Sequence, residues 1–281
     1  MTDTAVVEPP PPPAPSGQGR SVGDRVRFVL RGIGQTLITA GLVVLLFVVY
    51  EVWITNLYAE REQKHVANAF KKELVQGKDP LLALPGSKDP TIALGTGIAN
   101  LYIPRLGKDF HFTIVEGSVV PTDSQLEKGP AHYRDTGLPG KVGNFAMAGH
   151  RVGKGEPFLN LDQLRAGDTV IVETRSAWFV YRVKGQQHGL TKEDSDGIPG
   201  REIVSPSDGN VLLPKPDHPG ARADEALLTM TTCHPKFSAN KRMIVYAALD
   251  TASSVRVSAK SGDQVLAMPA SIEALYSQVS H

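Results

Sequence analysis

The residues best suited to chemistry gather in one short stretch, Thr229-Met230-Thr231-Thr232-Cys233-His234-Pro235. Cys233 is the single cysteine among 281 residues, so no intramolecular disulfide can form and a thiolate-rich zinc site is excluded. A thiol becomes a strong nucleophile only as the thiolate, a form that a neighbouring imidazole or guanidinium favours. Arg242 follows nine positions later. Ala226 to Thr232 and Arg242 to Leu249 both read as strands, which lets the arginine lie beside the cysteine across the pair. His234 to Lys241 then forms a loop at the mouth of the site. Acyl transfer also needs donors for a developing oxyanion, and a guanidinium and the backbone N–H after the cysteine are suited to that.

The histidine partner is less evident. His150, in Ala148-Gly149-His150-Arg151, lies far upstream, and only the fold can bring it to the thiol. His234 is a rival base, but neighbours in an extended chain point to opposite faces, which disfavours a close Cys233–His234 pair. His132, in Gly129-Pro130-Ala131-His132-Tyr133, reads as a packed structural residue. The bland readings are a small buried thiol, a turn histidine and an arginine paired with a surface acid. The eight histidines form no dense metal-ligand tract. Glu116, Asp123 and Asp208 are the nearest approach to a calcium site and do not make a convincing one. The expectation is no metal and no cofactor. A formal net charge of +1 argues against a nucleic-acid partner.

What positions the thiol begins at the membrane. Residues 1 to about 20, with prolines from Pro9 to Pro13, offer no core and read as a disordered tail. Gly32 to Tyr50 is an uncharged run of 19 residues, enough for a helix of roughly 28 Å, the thickness of a bilayer core. Arg20, Arg25, Arg27 and Arg31 precede it against the single acid Asp24, which places the N-terminus in the cytoplasm. Tyr50, Trp53 and Tyr58 suit an aromatic belt at the far end. The run is longer than a signal-peptide core and lacks a close cleavage site, so a retained single-pass anchor is expected, with everything after about residue 55 outside. A lone thiol on an exported domain, where structural cysteines normally pair, argues for a reactive one.

Glu60 to Gln76 reads as a helix, with Val66, Phe70 and Leu74 at four-residue spacing, and Gly77 ends it. A Pro- and Gly-marked linker follows, so this segment is expected to be a stalk holding the next domain off the membrane. From about Ile98 short strands and turns dominate. Tyr102 to Pro104, His111 to Val115, Asn144 to Met147 and a hairpin of Asp168 to Thr174 with Ala177 to Val183 argue for a mostly β barrel or sandwich. Asp123 to Lys128 and Leu159 to Arg165 are the helical exceptions.

Taken together, these residues resemble the sortases, cysteine transpeptidases of Gram-positive cell surfaces. The family motif Thr-Leu-x-Thr-Cys is matched by Thr229-Met230-Thr231-Thr232-Cys233, with Met in place of Leu, and the arginine on the next strand by Arg242. The family histidine is matched in Gly149-His150-Arg151, and Gly129 to Tyr133 with Leu138-Pro139-Gly140 resembles the segment before it. Phe145 to Arg151 and Cys233 to Ala239 look most like the class E sortases of actinobacteria.

The resemblance implies an eight-stranded β-barrel with short helices, preceded here by one transmembrane helix. It implies that Cys233 attacks the Thr–Gly bond of a C-terminal sorting signal, with Leu-Ala-x-Thr-Gly favoured over Leu-Pro-x-Thr-Gly. It further implies that His150 serves as acid and then base, and that Arg242 holds the motif and stabilises the oxyanion. Thr232 and His234 are expected to contribute to substrate binding. The partners implied are surface proteins bearing such signals and an amine of the cell-wall precursor lipid II, with membrane lipid around the anchor. The expected divisions are a tail at 1–31, the anchor at 32–54, the stalk and linker at 55–97, the catalytic domain at 98–252 and a C-terminal tail at 253–281. Two other readings are another exported cysteine peptidoglycan transpeptidase, whose Ser-x-Gly-Cys context Thr231-Thr232-Cys233 does not match, and a non-catalytic surface adaptor.

Overall fold

The computed structural model of the chain describes residues 22–50, 55–81, 92–185, 196–257 and 267–277. Residues 1–21 of the expected tail, Trp53 and most of the linker lie outside the described residues, and the rest of that tail, 22–31, is helical. The chain divides into two compact units, residues 1–50 and 51–281.

The first unit is a helix, α1 (Val22–Val49, 28 residues). Its stretch Arg25–Val49 has a mean hydropathy of 2.2 and is long and apolar enough to cross a membrane. The helix starts before the apolar run and carries Arg25, Arg27 and Arg31 in its first turns. The hydroxyls of Thr36 and Thr39 donate to the carbonyls of Gly32 and Gln35 at 3.0 and 2.9 Å, so neither needs an outside partner in lipid.

The second unit is built from ten described strands: β1 (Gly97–Tyr102), β2 (His111–Glu116), β3 (Ala131–His132), β4 (Gly143–Ala148), β5 (Thr169–Glu173), β6 (Ala177–Val183), β7 (Arg201–Val204), β8 (Ala226–His234), β9 (Lys241–Leu249) and β10 (Val255–Arg256). Eight of them close a barrel in the order β6-β5-β1-β2-β3-β4-β8-β9, with β9 returning to β6. The two others extend it at its seam: β7 pairs with Arg242 to Val245 of β9, and β10 with Ala177 and Trp178 of β6. Closure leaves no long unpaired edge.

Two of the pairings are parallel, β2 with β3 and β4 with β8. The second governs the site. Parallel neighbours leave the sheet at the same end, so whatever follows β4 emerges beside whatever ends β8.

Alternation along these strands assigns the faces. Phe145 and Met147 of β4, Leu228 and Met230 of β8, and Val245 and Ala247 of β9 pack in the main core with Leu101, Ile114, Val172 and Tyr181. Their neighbours Leu227, Ile244 and Tyr246 belong to a separate cluster with Ile198 and Val211 on the outer face. Strands β4, β8 and β9 are covered on both sides over most of their length, so they read as continuous apolar stretches rather than clean alternations.

The helical segments are α2 (Thr55–Val75), α3 (Asp123–Leu126), α4 (Ala270–Ser277) and isolated 3₁₀ turns at Pro104–Leu106, Leu161–Gln163 and Asn210–Leu212. The helix expected as a stalk packs against β1 and β2: Ala59, Val66, Phe70 and Leu74 are buried along one stripe. The Gln63 amide bonds the backbone of Thr113 and the Lys128 carbonyl. Gly97 permits this close approach, since a Cβ there would come within 2.9 Å of the Phe70 Cβ. The expected C-terminal tail includes β10 and α4, whose Ile272 and Leu275 pack on Ile171, Trp178 and Val180.

Candidate active site

Face assignment carries straight to the reactive side chains. With Phe145, Met147, Leu228 and Met230 inward, period-two alternation places Ala148 and His150, Thr229, Thr231 and Cys233, and Ile244 and Arg242 on the outer face. Cys233 and Arg242 are direct register partners across β8 and β9. The β4–β8 pairing runs as far as Ala148 opposite Thr231, and the Gly149 N–H continues it by donating to the Thr231 carbonyl at 3.0 Å. His150 therefore leaves β4 at the level of Cys233, the penultimate residue of β8. The distant histidine, the thiol and the guanidinium meet on one face at one end of the barrel.

Gly149 is required at that exit. A Cβ there would lie 2.5 Å from the Phe158 ring, which packs beneath the loop after His150. Thr232 points the other way: it is buried, and its hydroxyl donates to the Gly149 carbonyl at 2.8 Å. Expected as a substrate contact, this hydroxyl is engaged in joining β8 to β4.

His150, Cys233 and Arg242 line a groove of about 590 Å³. Its floor is β4, β8 and β9, and its walls are the segments 204–212 and 120–126. Asn144 holds the first wall down, donating from Nδ2 to the carbonyls of Val211 and Leu213 at 3.2 and 3.1 Å while its Oδ1 accepts from Thr229 at 2.7 Å. A second hollow of about 320 Å³ also borders the thiol, lined by His150, Arg151, Val152, Cys233, Phe237 and Ala239 among others. Only the first hollow includes Arg242; His150 and Cys233 belong to both.

The His150 side chain is 17% exposed, and its Nε2 is buried without a hydrogen-bond partner among the described residues. The nearest carboxylate oxygen is Asp123 Oδ1 at 4.0 Å. Burial pushes the imidazole below its ordinary pKa and the Lys154 cation pushes the same way, while Asp123 and Glu127 oppose them. His150 is thus a reluctant cation, ready to give up a proton.

The Arg242 guanidinium is braced through Nη1, which donates to the carbonyls of Ala239 and Lys241 at 2.9 and 3.1 Å. Among the described residues its Nε and Nη2 make no hydrogen bond to protein, which leaves donors for a ligand in the groove. His234 is held on the other face. Its Nδ1 accepts from Arg151 Nη1 at 2.9 Å, and it lines neither hollow among the described residues.

Three contributors were not singled out from the sequence. Arg151 is 4% exposed, donates from Nη1 to the Cys233 carbonyl at 3.3 Å and pairs through Nη2 with Asp162 at 3.3 Å, fastening the end of β8 to the loop after His150. Tyr133 lines the groove, its hydroxyl 2.8 Å from Thr231 Oγ1 and its pKa raised by burial. Segment 204–212, including β7's last residue, walls the groove. The one available signal was parity: Arg151 and His234 each follow an outward-facing residue, His150 and Cys233, and so share the other face.

His132 is buried, with Nδ1 at 2.8 Å from Glu116 Oε2 and Nε2 at 3.1 Å from the Gly137 carbonyl. Glu116 also accepts from Arg134 Nε at 2.9 Å, which occupies the carboxylate considered for calcium. No cluster of three or more metal-ligating side chains occurs among the described residues.

Comparison with known proteins places this geometry. A family model described as Sortase domain matches residues 101–250. The chain is 35% identical to Sortase SrtE1 of Streptomyces coelicolor over 225 residues, 78% of this chain and 56% of that protein, so it spans little more than half the length of that relative. It is 28% identical to Sortase SrtE2 of the same organism over 274 residues, 94% of this chain and 97% of that one. Among solved structures, the SrtF sortase from Corynebacterium diphtheriae matches with a TM-score of 0.56 at 39% identity, covering 68% of this chain and 99% of that one.

Proposed function

Because this chain belongs to the sortase family of cysteine transpeptidases, we propose that it cleaves a C-terminal sorting signal between Thr and Gly and transfers the acyl product to an amine. The observation that carries this reading is the convergence of His150, Cys233 and Arg242 at one end of the barrel, in a groove large enough for a peptide.

In the first half-reaction the Cys233 thiolate attacks the threonine carbonyl carbon. The oxygen gains the negative charge, which Arg242 and the backbone N–H of His234 are suited to receive. As the C–N bond breaks, His150 gives its proton to the glycine amine, leaving a thioester on Cys233. A histidine disfavoured as a cation suits this role, because it holds the transferable proton weakly. In the second half-reaction an acceptor amine attacks the thioester, neutral His150 takes the amine proton, and the thiolate departs. Arg242 lies only in the larger groove, which favours that groove for the sorting signal; the smaller hollow beside His150 then offers the acceptor a separate approach.

The acceptor is proposed to be the amine of lipid II, and the signal Leu-Ala-x-Thr-Gly, as the resemblance of Phe145 to Arg151 and Cys233 to Ala239 to class E sortases implies. Helix α1 is proposed to anchor the chain in the cell membrane with its arginines in the cytoplasm and the barrel outside. A peptide-library assay with the full chain in detergent, offering an amine acceptor, tests the chemistry. Transfer that requires Thr-Gly supports it; an alkylatable Cys233 without cleavage of any such peptide would overturn it. Protease added to wall-stripped cells should digest the barrel, and its protection would reject the orientation.

A further inference from the structure

We propose that α2 is part of the active site, and that Asn56 in its first turn is a positioning residue for His150. The inference rests on the catalytic reading of His150.

The loop after His150 is closed by the Phe158 N–H, which donates to the His150 carbonyl at 3.1 Å. Within it four consecutive residues have positive φ: Gly153 at 72°, Lys154 at 55°, Gly155 at 83° and Glu156 at 48°. The two glycines adopt this freely; Lys154 and Glu156 do so only if something holds them. Inside the loop Glu156 Oε1 accepts from the Gly153 N–H at 2.9 Å. The second hold comes from α2. Asn56 Oδ1 accepts from the Gly155 N–H at 3.1 Å, and Asn56 Nδ2 donates to Glu156 Oε1 at 3.4 Å. One side-chain amide thus grips both sides of the left-handed segment.

That conformation directs Lys154 onto α3. Its Nζ lies 3.0 Å from Asp123 Oδ2 and 3.0 Å from Glu127 Oε1, and the other oxygen of Asp123 is the one that faces His150 Nε2 at 4.0 Å. A continuous series of contacts therefore runs from Asn56 through the loop and Lys154 to Asp123 and His150. Helix α2 does not depend on Asn56 for its own docking, since Val66, Phe70, Leu74 and Gln63 fix it to the barrel farther along. Removing the Asn56 amide leaves the helix seated and frees the loop. The titratable and charged groups facing His150 are Lys154 on its own loop, Asp123 on α3, Glu127 just after α3, and Cys233 and Arg242 across the groove.

The test compares wild type, Asn56→Ala and, as a control on the exposed face of the same helix, Asn68→Ala, all as full chains in detergent. Asn56→Ala should lower kcat for peptide cleavage about tenfold to a hundredfold with KM little changed, as expected for a misplaced catalytic group. Its thermal midpoint should fall by no more than about 2–4 °C. The His150 imidazole, followed by NMR, should titrate at higher pH as the Lys154 cation moves away. Asn56→Asp should be impaired by its repulsion from Glu156.

Wild-type kcat in Asn56→Ala, an unmoved His150 titration, or an unimpaired Asn56→Asp would overturn the proposal. Should wild type itself cleave no sorting peptide, the functional reading fails, while the His150 titration still decides whether Asn56 positions the loop.

Discussion

Thr232 donates its hydroxyl to the Gly149 carbonyl at 2.8 Å, and the next residues along the two strands are Cys233 and His150. The Thr232 side chain has inward parity, and those of Cys233 and His150 lie on the outer face. The alignment of Cys233 with His150 is therefore fixed by a buried hydrogen bond in the floor of the groove.

Thr232→Val should expose this arrangement. Valine keeps the shape and removes the donor, a buried loss of about 1–3 kcal/mol. Acyl-enzyme formation should slow by about tenfold and the thermal midpoint should drop, with Thr232→Ser restoring both. A Thr232→Val protein that acylates at wild-type rate would show that the strand register holds without the bond.

The two histidines should separate cleanly. His150→Ala should lose on the order of a hundredfold or more in cleavage rate, the usual range for a general acid–base group. His234→Ala should be mild, because His234 Nδ1 is taken by Arg151 and the ring lies away from the groove. Cys233→Ala should abolish activity, since no other thiol exists. A severe His234→Ala with a mild His150→Ala would reverse the assignment.

What could be read in advance follows from how local each relationship is. Cys233 and Arg242 sit on adjacent strands of one hairpin, so spacing alone paired them. His150 reaches Cys233 through the parallel β4–β8 pairing, a long crossover that no local pattern announces. The buried stripe of α2 was visible at Val66, Phe70 and Leu74, but such a stripe does not say what it packs on. Strand β7 escaped notice because Arg201-Glu202-Ile203-Val204 is short, half polar and without a fully buried position. Asn56 was illegible for a further reason: its partners are the Gly155 backbone and a side chain about a hundred residues away, and a backbone partner leaves no mark on residue type.

The pH dependence of cleavage should carry the mark of His150. Its pKa is lowered by burial and then by Lys154, so the acid limb of kcat/KM should fall below the ordinary histidine value of about 6.5. Removing a cation makes the imidazolium less unfavourable, and Lys154→Ala should move the limb to higher pH. Removing a carboxylate does the reverse, so Asp123→Asn should move it lower. The same sign applies to folding: His150 is protonated less readily folded than unfolded, and its contribution to stability is lost as pH falls through the folded-state value. Shifts of equal direction in the two variants would mean that the limb reports another group.

Arg242 gives the sharpest test of the oxyanion reading. Its Nη1 is occupied by the Ala239 and Lys241 carbonyls, which hold the guanidinium plane in place, while Nε and Nη2 carry the donors left for a ligand. A lysine retains the charge but has one nitrogen where the arginine has three, so it cannot both brace itself on those carbonyls and present a directed donor beside Cys233. Arg242→Lys should therefore slow acyl-enzyme formation by about a hundredfold to a thousandfold, the range seen when one oxyanion donor is lost. The fold and the alkylation of Cys233 should be little affected. If the role were charge alone, Arg242→Lys would stay near wild type and only Arg242→Ala would fail. A burst measurement of the acyl-enzyme on both variants separates the two cases, and a fast Arg242→Lys would assign the oxyanion to the backbone N–H of His234 without help from the arginine.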